Sequence, residues 1–118
     1  MSTYTSLAVY KASYDFLILL INLTKNFDRE YKYTIGENVK KEAMEMMKNI
    51  YRANSSEDKP GLIQAARENI EMIRLDLRVL QDLKQLNLRK FVFLNARVET
   101  VSKQLVAWQR SFNSAGRS

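Results

Sequence analysis

Lys90–Ser114 reads KFVFLNARVETVSKQLVAWQRSFNS. Phe91, Leu94, Val98, Val101, Leu105, Trp108 and Phe112 recur by three and four. That spacing puts all seven on one side of an α-helix. The same stretch carries Lys90, Arg97, Lys103 and Arg110 against a single acid, Glu99. One helix therefore supplies a packing seam and a concentration of positive charge.

The rest of the chain repeats the helical pattern. Leu7, Tyr10, Tyr14, Leu17 and Ile21 form one apolar stripe, and Val9, Phe16, Leu20, Leu23 and Phe27 a second, on a first helix predicted over about 4–26. Thr34-Ile35-Gly36-Glu37 matches a capping box, which predicts a second helix over about 35–54. Its stripe is Ile35, Val39, Ala43, Met46, Ile50 and Ala53. SSEDKPG (Ser55–Gly61) is polar and reads as a linker, with Pro60 suited to the first turn of the next helix. That third helix is predicted over about 60–86. It again has two stripes: Leu62, Ala66, Ile70, Ile73, Leu77 and Leu80, and Met72, Leu75, Val79, Leu83 and Leu86. Asn87 can cap a fourth helix over about 88–113, with SAGRS as a frayed tail.

The fold class expected is all-α: one domain, an antiparallel up-down-up-down four-helix bundle. The 118 residues suit a single domain burying roughly two-thirds of its unfolded surface. Three Gly and one Pro are too few for a turn-rich β chain. A bundle helix needs one apolar stripe, and the first and third helices have two. Either these two helices are the more buried pair, or the surplus covers a partner surface. We expect a homo-oligomer.

Several chemistries are disfavoured. The chain has no His and no Cys, so the usual general base, thiol or imidazole nucleophiles and the commonest metal ligands are missing. Glu42/Glu45 and Glu68/Glu71 have an i,i+3 spacing but lack the imidazole that a di-iron bundle uses. They read as exposed acids pairing with nearby Lys and Arg. Gly36 and Gly61 are isolated and form no phosphate loop. We expect no catalysis, cofactor or metal. The longest uninterrupted apolar run, Phe16–Ile21, is short beside the roughly 20 residues of a membrane span, and Asp15 directly precedes it. Neither a membrane partner nor a signal peptide is expected, and a chain without Cys fits the cytoplasm.

Charge points elsewhere. The net charge is +6, and residues 1–86 hold thirteen bases against twelve acids. Residues 87–118 hold Arg89, Lys90, Arg97, Lys103, Arg110 and Arg117 against Glu99. On the fourth helix Arg89, Lys103 and Arg110 fall opposite the seam, and Lys90 and Arg97 flank it. This gives a basic strip about 30 Å long, which either meets an anionic partner such as nucleic acid or is an ordinary solvated face. Arg67, Arg74 and Arg78 lie between the third helix's two apolar stripes, with Glu71 the nearest acid. Phosphates or acids of another subunit would satisfy these guanidinium groups equally well. Lys41, Lys48 and Arg52 share a face that Glu37 and Glu45 partly neutralise. Tyr31 and Tyr33 frame Lys32, where aromatics can stack on bases of single-stranded nucleic acid; the preferred reading is that they close one end of the bundle with wet hydroxyls.

FDREYKYTIGENVKKE (27–42), IYRAN (50–54), RENIEMIRLDLRVLQDLKQ (67–85) and VSKQLVAW (101–108) carry a resemblance. The chain resembles the small bacterial four-helix-bundle proteins that include those encoded in 23S rRNA intervening sequences, some of them labelled ribosomal-protein-like. It is most similar to their branch in diversity-generating retroelements, the accessory variability determinants (Avd-like). The resemblance spans about Leu7 to Arg110, and Asp28 stands where relatives often have Pro. It implies a barrel-like homopentamer with a positive surface that binds nucleic acid and, in the retroelement branch, a reverse transcriptase. With the charge pattern it gives the expected function: a non-enzymatic nucleic-acid-binding accessory protein, RNA ahead of DNA. The expected site residues are Arg89, Arg97, Lys103 and Arg110, then Arg74 and Arg78. The alternative is a protein–protein scaffold docking a reverse transcriptase or other acidic partner without touching nucleic acid.

Overall fold

In a computed structural model the backbone is described for residues 4–117 and side chains for 6–112. Four long helices and one short one follow in order: α1 (Tyr4–Thr24), α2 (Arg29–Lys32), α3 (Ile35–Ser55), α4 (Lys59–Asp82) and α5 (Leu88–Arg117). No strand occurs among the described residues. The helices form a bundle in which α1 packs on α3 and α5, and α4 packs on α3 and α5. The seams read from the sequence meet in the core. Val9, Phe16 and Leu20 of α1 are buried, as are Val39, Met46 and Ile50 of α3. Ile63, Ile70, Ile73 and Leu77 of α4 join Leu94, Val98, Val101, Leu105 and Trp108 of α5.

Helix boundaries differ from the expectation where loop chemistry intervenes. α1 stops at Thr24 rather than 26. The Thr24 hydroxyl donates to Ile21 O at 2.9 Å, and the amides of Asn26 and Phe27 reach back three residues, so the last turn tightens. Phe27 then turns into the core. The segment expected to be a plain connection holds the single-turn α2, in which Asp28 O accepts from the amides of Tyr31 and Lys32.

That extra turn also undoes the capping box. Thr34 donates its hydroxyl to Glu30 O at 2.7 Å instead of accepting an α3 amide. Glu37 pairs with Lys40 at 2.8 Å. The free carbonyl of α2 takes the hydroxyl, leaving it no role at the α3 start. Gly36 fits here because a Cβ would stand 2.9 Å from Tyr31 O.

The next connection is shorter than the expected Ser55–Gly61: α3 runs through Ser55 and α4 begins at Lys59, which leaves residues 56–58 between them. Asp58 accepts from Gly61 N–H at 3.3 Å, and Pro60 sits in the first turn of α4. Lys59 Nζ donates to Ala53 O at 2.8 Å and Asn54 O at 3.2 Å, closing the end of α3.

α4 ends at Asp82, four residues short of the expected 86. Lys84 adopts a left-handed φ of 61°, and the amides of Lys84 and Gln85 bond back to Gln81 O and Leu80 O at 2.9 Å each. This Schellman closure satisfies the last carbonyls and turns Leu86 into the core. Gln85 then ties the turn to the far loop, accepting from Asp28 N–H at 2.7 Å and donating to Asp28 Oδ2 at 3.1 Å. Asn87 caps α5 as expected, accepting from Lys90 N–H at 2.8 Å. α5 runs four residues past 113, since nothing in Ser114-Ala115 stops a helix; side chains there lie outside the described residues.

Polar contacts the sequence did not announce fix the neighbouring helices against each other. Between α3 and α4, Asn38 Nδ2 reaches Asp76 Oδ2 at 3.2 Å, Asn69 donates to Glu42 at 3.1 Å, and Asn49 donates to Asn69 at 2.8 Å. Between α4 and α5, Gln109 donates to Gln64 at 3.1 Å and accepts from Arg67.

Candidate nucleic-acid interface

Burying the Phe91–Trp108 seam turns the opposite side of α5 to solvent. Arg89, Lys103 and Arg110 are exposed there, and Arg97 is exposed at the edge of the seam. Among the described residues no carboxylate lies within 4 Å of any of the four. Glu99 is the one acid in α5. Arg74 Nη1 donates to its Oε2 at 2.9 Å, and Arg74 Nε lies 3.3 Å from Glu71.

The third-helix arginines therefore do not stand without partners, as the sequence suggested. Arg74 is 34% exposed and held between two carboxylates. Arg67 bonds Gln109. Arg78 is more open, 3.6 Å from an equally exposed Asp82, a pair too loose to hold it. The reason for the difference is tertiary: Glu99 and Gln109 come from α5, more than 20 residues away in sequence. Of the six expected site residues, Arg89, Lys103 and Arg110 share the outer face of α5, Arg97 lies at its edge, Arg78 stands apart on α4, and Arg74 neutralises the acid beside that face.

One side chain on this face escaped the sequence reading. Phe93 is 45% exposed, and the Arg97 guanidinium lies 4.8 Å from its ring centroid. Its four-residue spacing from both Arg89 and Arg97 was the available signal, but the Phe91 seam drew attention to core positions. Tyr33, expected to pack, is exposed with Lys32 over its ring at 5.6 Å.

A second surface is apolar. Leu7, Tyr14, Ile18 and Ile21 of α1 remain exposed, as do Met44 and Tyr51 of α3. Two adjoining hollows of about 610 and 400 Å³ lie between these helices and share Leu17 and Met44. Met72 and Leu75 of α4 are exposed as well. The surplus stripes are thus only partly absorbed by the single chain's core: Leu17 and Leu86 are buried, while Leu7, Tyr14, Ile21, Met72 and Leu75 stay exposed. The segment Ser6–Thr24 is also long and apolar enough, by length and composition alone, to cross a membrane. Counting only uninterrupted apolar runs missed this; here the segment is a bundle helix carrying an exposed Lys11–Asp15 pair at 3.6 Å.

The family model described as bAvd-like matches residues 7–112. The chain belongs to the bAvd-like family. The match takes in α2, α3 and α4 whole and most of α1 and α5, and with them every expected site residue. This bAvd-like membership agrees with the Avd-like resemblance, and the family is not known as one of enzymes. No curated protein matches the chain.

Among the described residues of this bAvd-like chain Asp76 is the most enclosed charged group, 6% exposed on α4. Burial pushes its carboxyl above the usual value of 3.8, the Asn38 amide opposes the shift, and Glu42 adds to it.

Proposed function

We propose that the protein is a non-enzymatic accessory protein that binds nucleic acid, RNA ahead of DNA, through the outer face of α5, and that it works in the cytoplasm as a homo-oligomer. The observation that carries this reading is the set of four exposed cations along the outer surface of one helix whose single local acid is already engaged by Arg74. A face with unneutralised cations over about 30 Å attracts a polyanion and releases its counterions. The resemblance to retroelement accessory proteins supports a pentamer and a reverse-transcriptase partner. The exposed apolar surfaces of α1, α3 and α4 support self-association. An up-down-up-down course of the long helices is part of the proposal. Asn38 meeting Asp76 while Asn49 meets Asn69, and Arg74 meeting Glu99 while Gln64 meets Gln109, support it.

The test is the double variant Lys103→Gln/Arg110→Gln. It should keep its helical content, bind random RNA more weakly at every salt concentration, and show a shallower salt slope. Unchanged affinity would reject the α5 face. The scaffold reading is favoured by the α1–α3 groove, whose apolar floor is rimmed by Lys41, Lys48 and Arg52. It predicts capture of an acidic protein partner by a chain with no salt-sensitive RNA binding.

A further inference from the structure

We infer that Phe93 and Arg97 form a stacking platform for an unpaired nucleobase, so that the α5 face prefers single-stranded nucleic acid over duplex. The inference rests on the nucleic-acid reading above and narrows its ligand class.

A scattered exposed apolar side chain is ordinary. Phe93 differs in its setting. Phe91, two residues earlier, packs against the core, so Phe93 belongs to the outer face. Arg89 and Arg97 stand one helical turn to either side, and Thr100, Lys103 and Arg110 continue the same face. The one acid in α5 is withdrawn by Arg74. An aromatic ring is thus centred in a row of cations, where a partner's phosphates would bring its bases close.

The Arg97 contact bears on the geometry. At 4.8 Å the guanidinium covers the ring and restrains it, a cation–π arrangement that lowers the entropy lost on binding. A base can then stack on the open side of the ring or on the guanidinium plane, both of which serve unpaired bases in single-strand recognition. A duplex keeps its base faces inside the stack and can offer this surface only its phosphates. Phosphate contacts alone would bind both forms; the ring adds a contact that only the single strand can make.

The experiment measures binding of a labelled mixed-sequence RNA single strand, and of the same strand in duplex, to the full chain and to Phe93→Ala, Phe93→Leu and Phe93→Trp. Light scattering is run on each variant. Alanine and leucine should lower single-strand affinity by about 5- to 150-fold, the range one base–aromatic stack supplies. Duplex affinity and the salt slope should not move, and tryptophan should retain single-strand binding. Full single-strand binding by the leucine variant, or equal losses on both RNAs, would overturn the platform while leaving the phosphate face standing. A change of assembly mass in the variants would overturn it too, since Phe93 would then be a contact between copies. If the unaltered chain binds neither RNA, the nucleic-acid reading itself falls, and the platform with it.

Discussion

Arg74 of α4 meets Glu99 of α5 at 2.9 Å, and this contact engages the one carboxylate that α5 possesses. The pair links two helices, but both side chains are partly wet, at 34% and 46% exposed. Its effect on the surface charge of α5 therefore outweighs its effect on stability.

A double-mutant cycle separates those effects. Arg74→Met and Glu99→Gln should show a coupling of about 0.2–1 kcal/mol in urea unfolding. Arg74→Met should also weaken RNA binding, because Glu99 is then left charged one helical turn from Lys103. Glu99→Gln should not weaken it. Equal losses of affinity in the two variants would show that the pair matters through structure rather than charge.

Asp76 should give the bundle an unusual pH response. Its folded-state pKa is raised, first by burial and then by Glu42. Its contribution to stability is thus complete below the ordinary value of 3.8 and is lost as pH rises through the raised one. Asp76→Asn removes that loss. Urea midpoints measured at about pH 4.5 and about pH 7.5 should show a stability difference in favour of the variant that grows with pH. A difference that shrinks as pH rises would mean that Asn38 stabilises the carboxylate more than burial penalises it.

Gly36 sits where α3 begins beneath α2. An added Cβ would lie 2.9 Å from Tyr31 O and 3.3 Å from the Phe27 ring. Gly36→Ala should destabilise by about 1–2 kcal/mol, since displacing backbone outweighs the roughly 0.5–1 kcal/mol of helix propensity that alanine gains. Thermal unfolding followed by circular dichroism reads this directly, and a stabilised variant would contradict the close approach.

Lys84 is the one non-glycine residue with positive φ among those described. Lys84→Gly relieves a left-handed conformation that costs about 1–2 kcal/mol, against about 0.4–1 kcal/mol of added unfolded-chain entropy. A net gain of up to about 1.6 kcal/mol is expected in denaturant unfolding. RNA affinity should stay constant, because Lys84 lies off the α5 face.

Sequence by itself determined the features that repeat locally. Helical spacing identified the Val39–Ile50 and Leu94–Trp108 seams, because residues three and four apart share a face in any fold that keeps the helix. Asn87 and Pro60 were legible for the same reason: each acts on backbone within its own turn. The outward cations of α5 followed from the seam behind them. Tertiary structure decided everything that depends on a distant partner. Thr34 lost its capping role to Glu30 O, and Leu86 left the expected helix to enter the core. Asn38 and Glu42 of α3, together with burial, set the environment of Asp76. Whether Arg74 is free, and whether Phe93 is exposed, depends on which side chains the neighbouring helix brings opposite them. Periodicity along one chain segment holds no record of that facing surface.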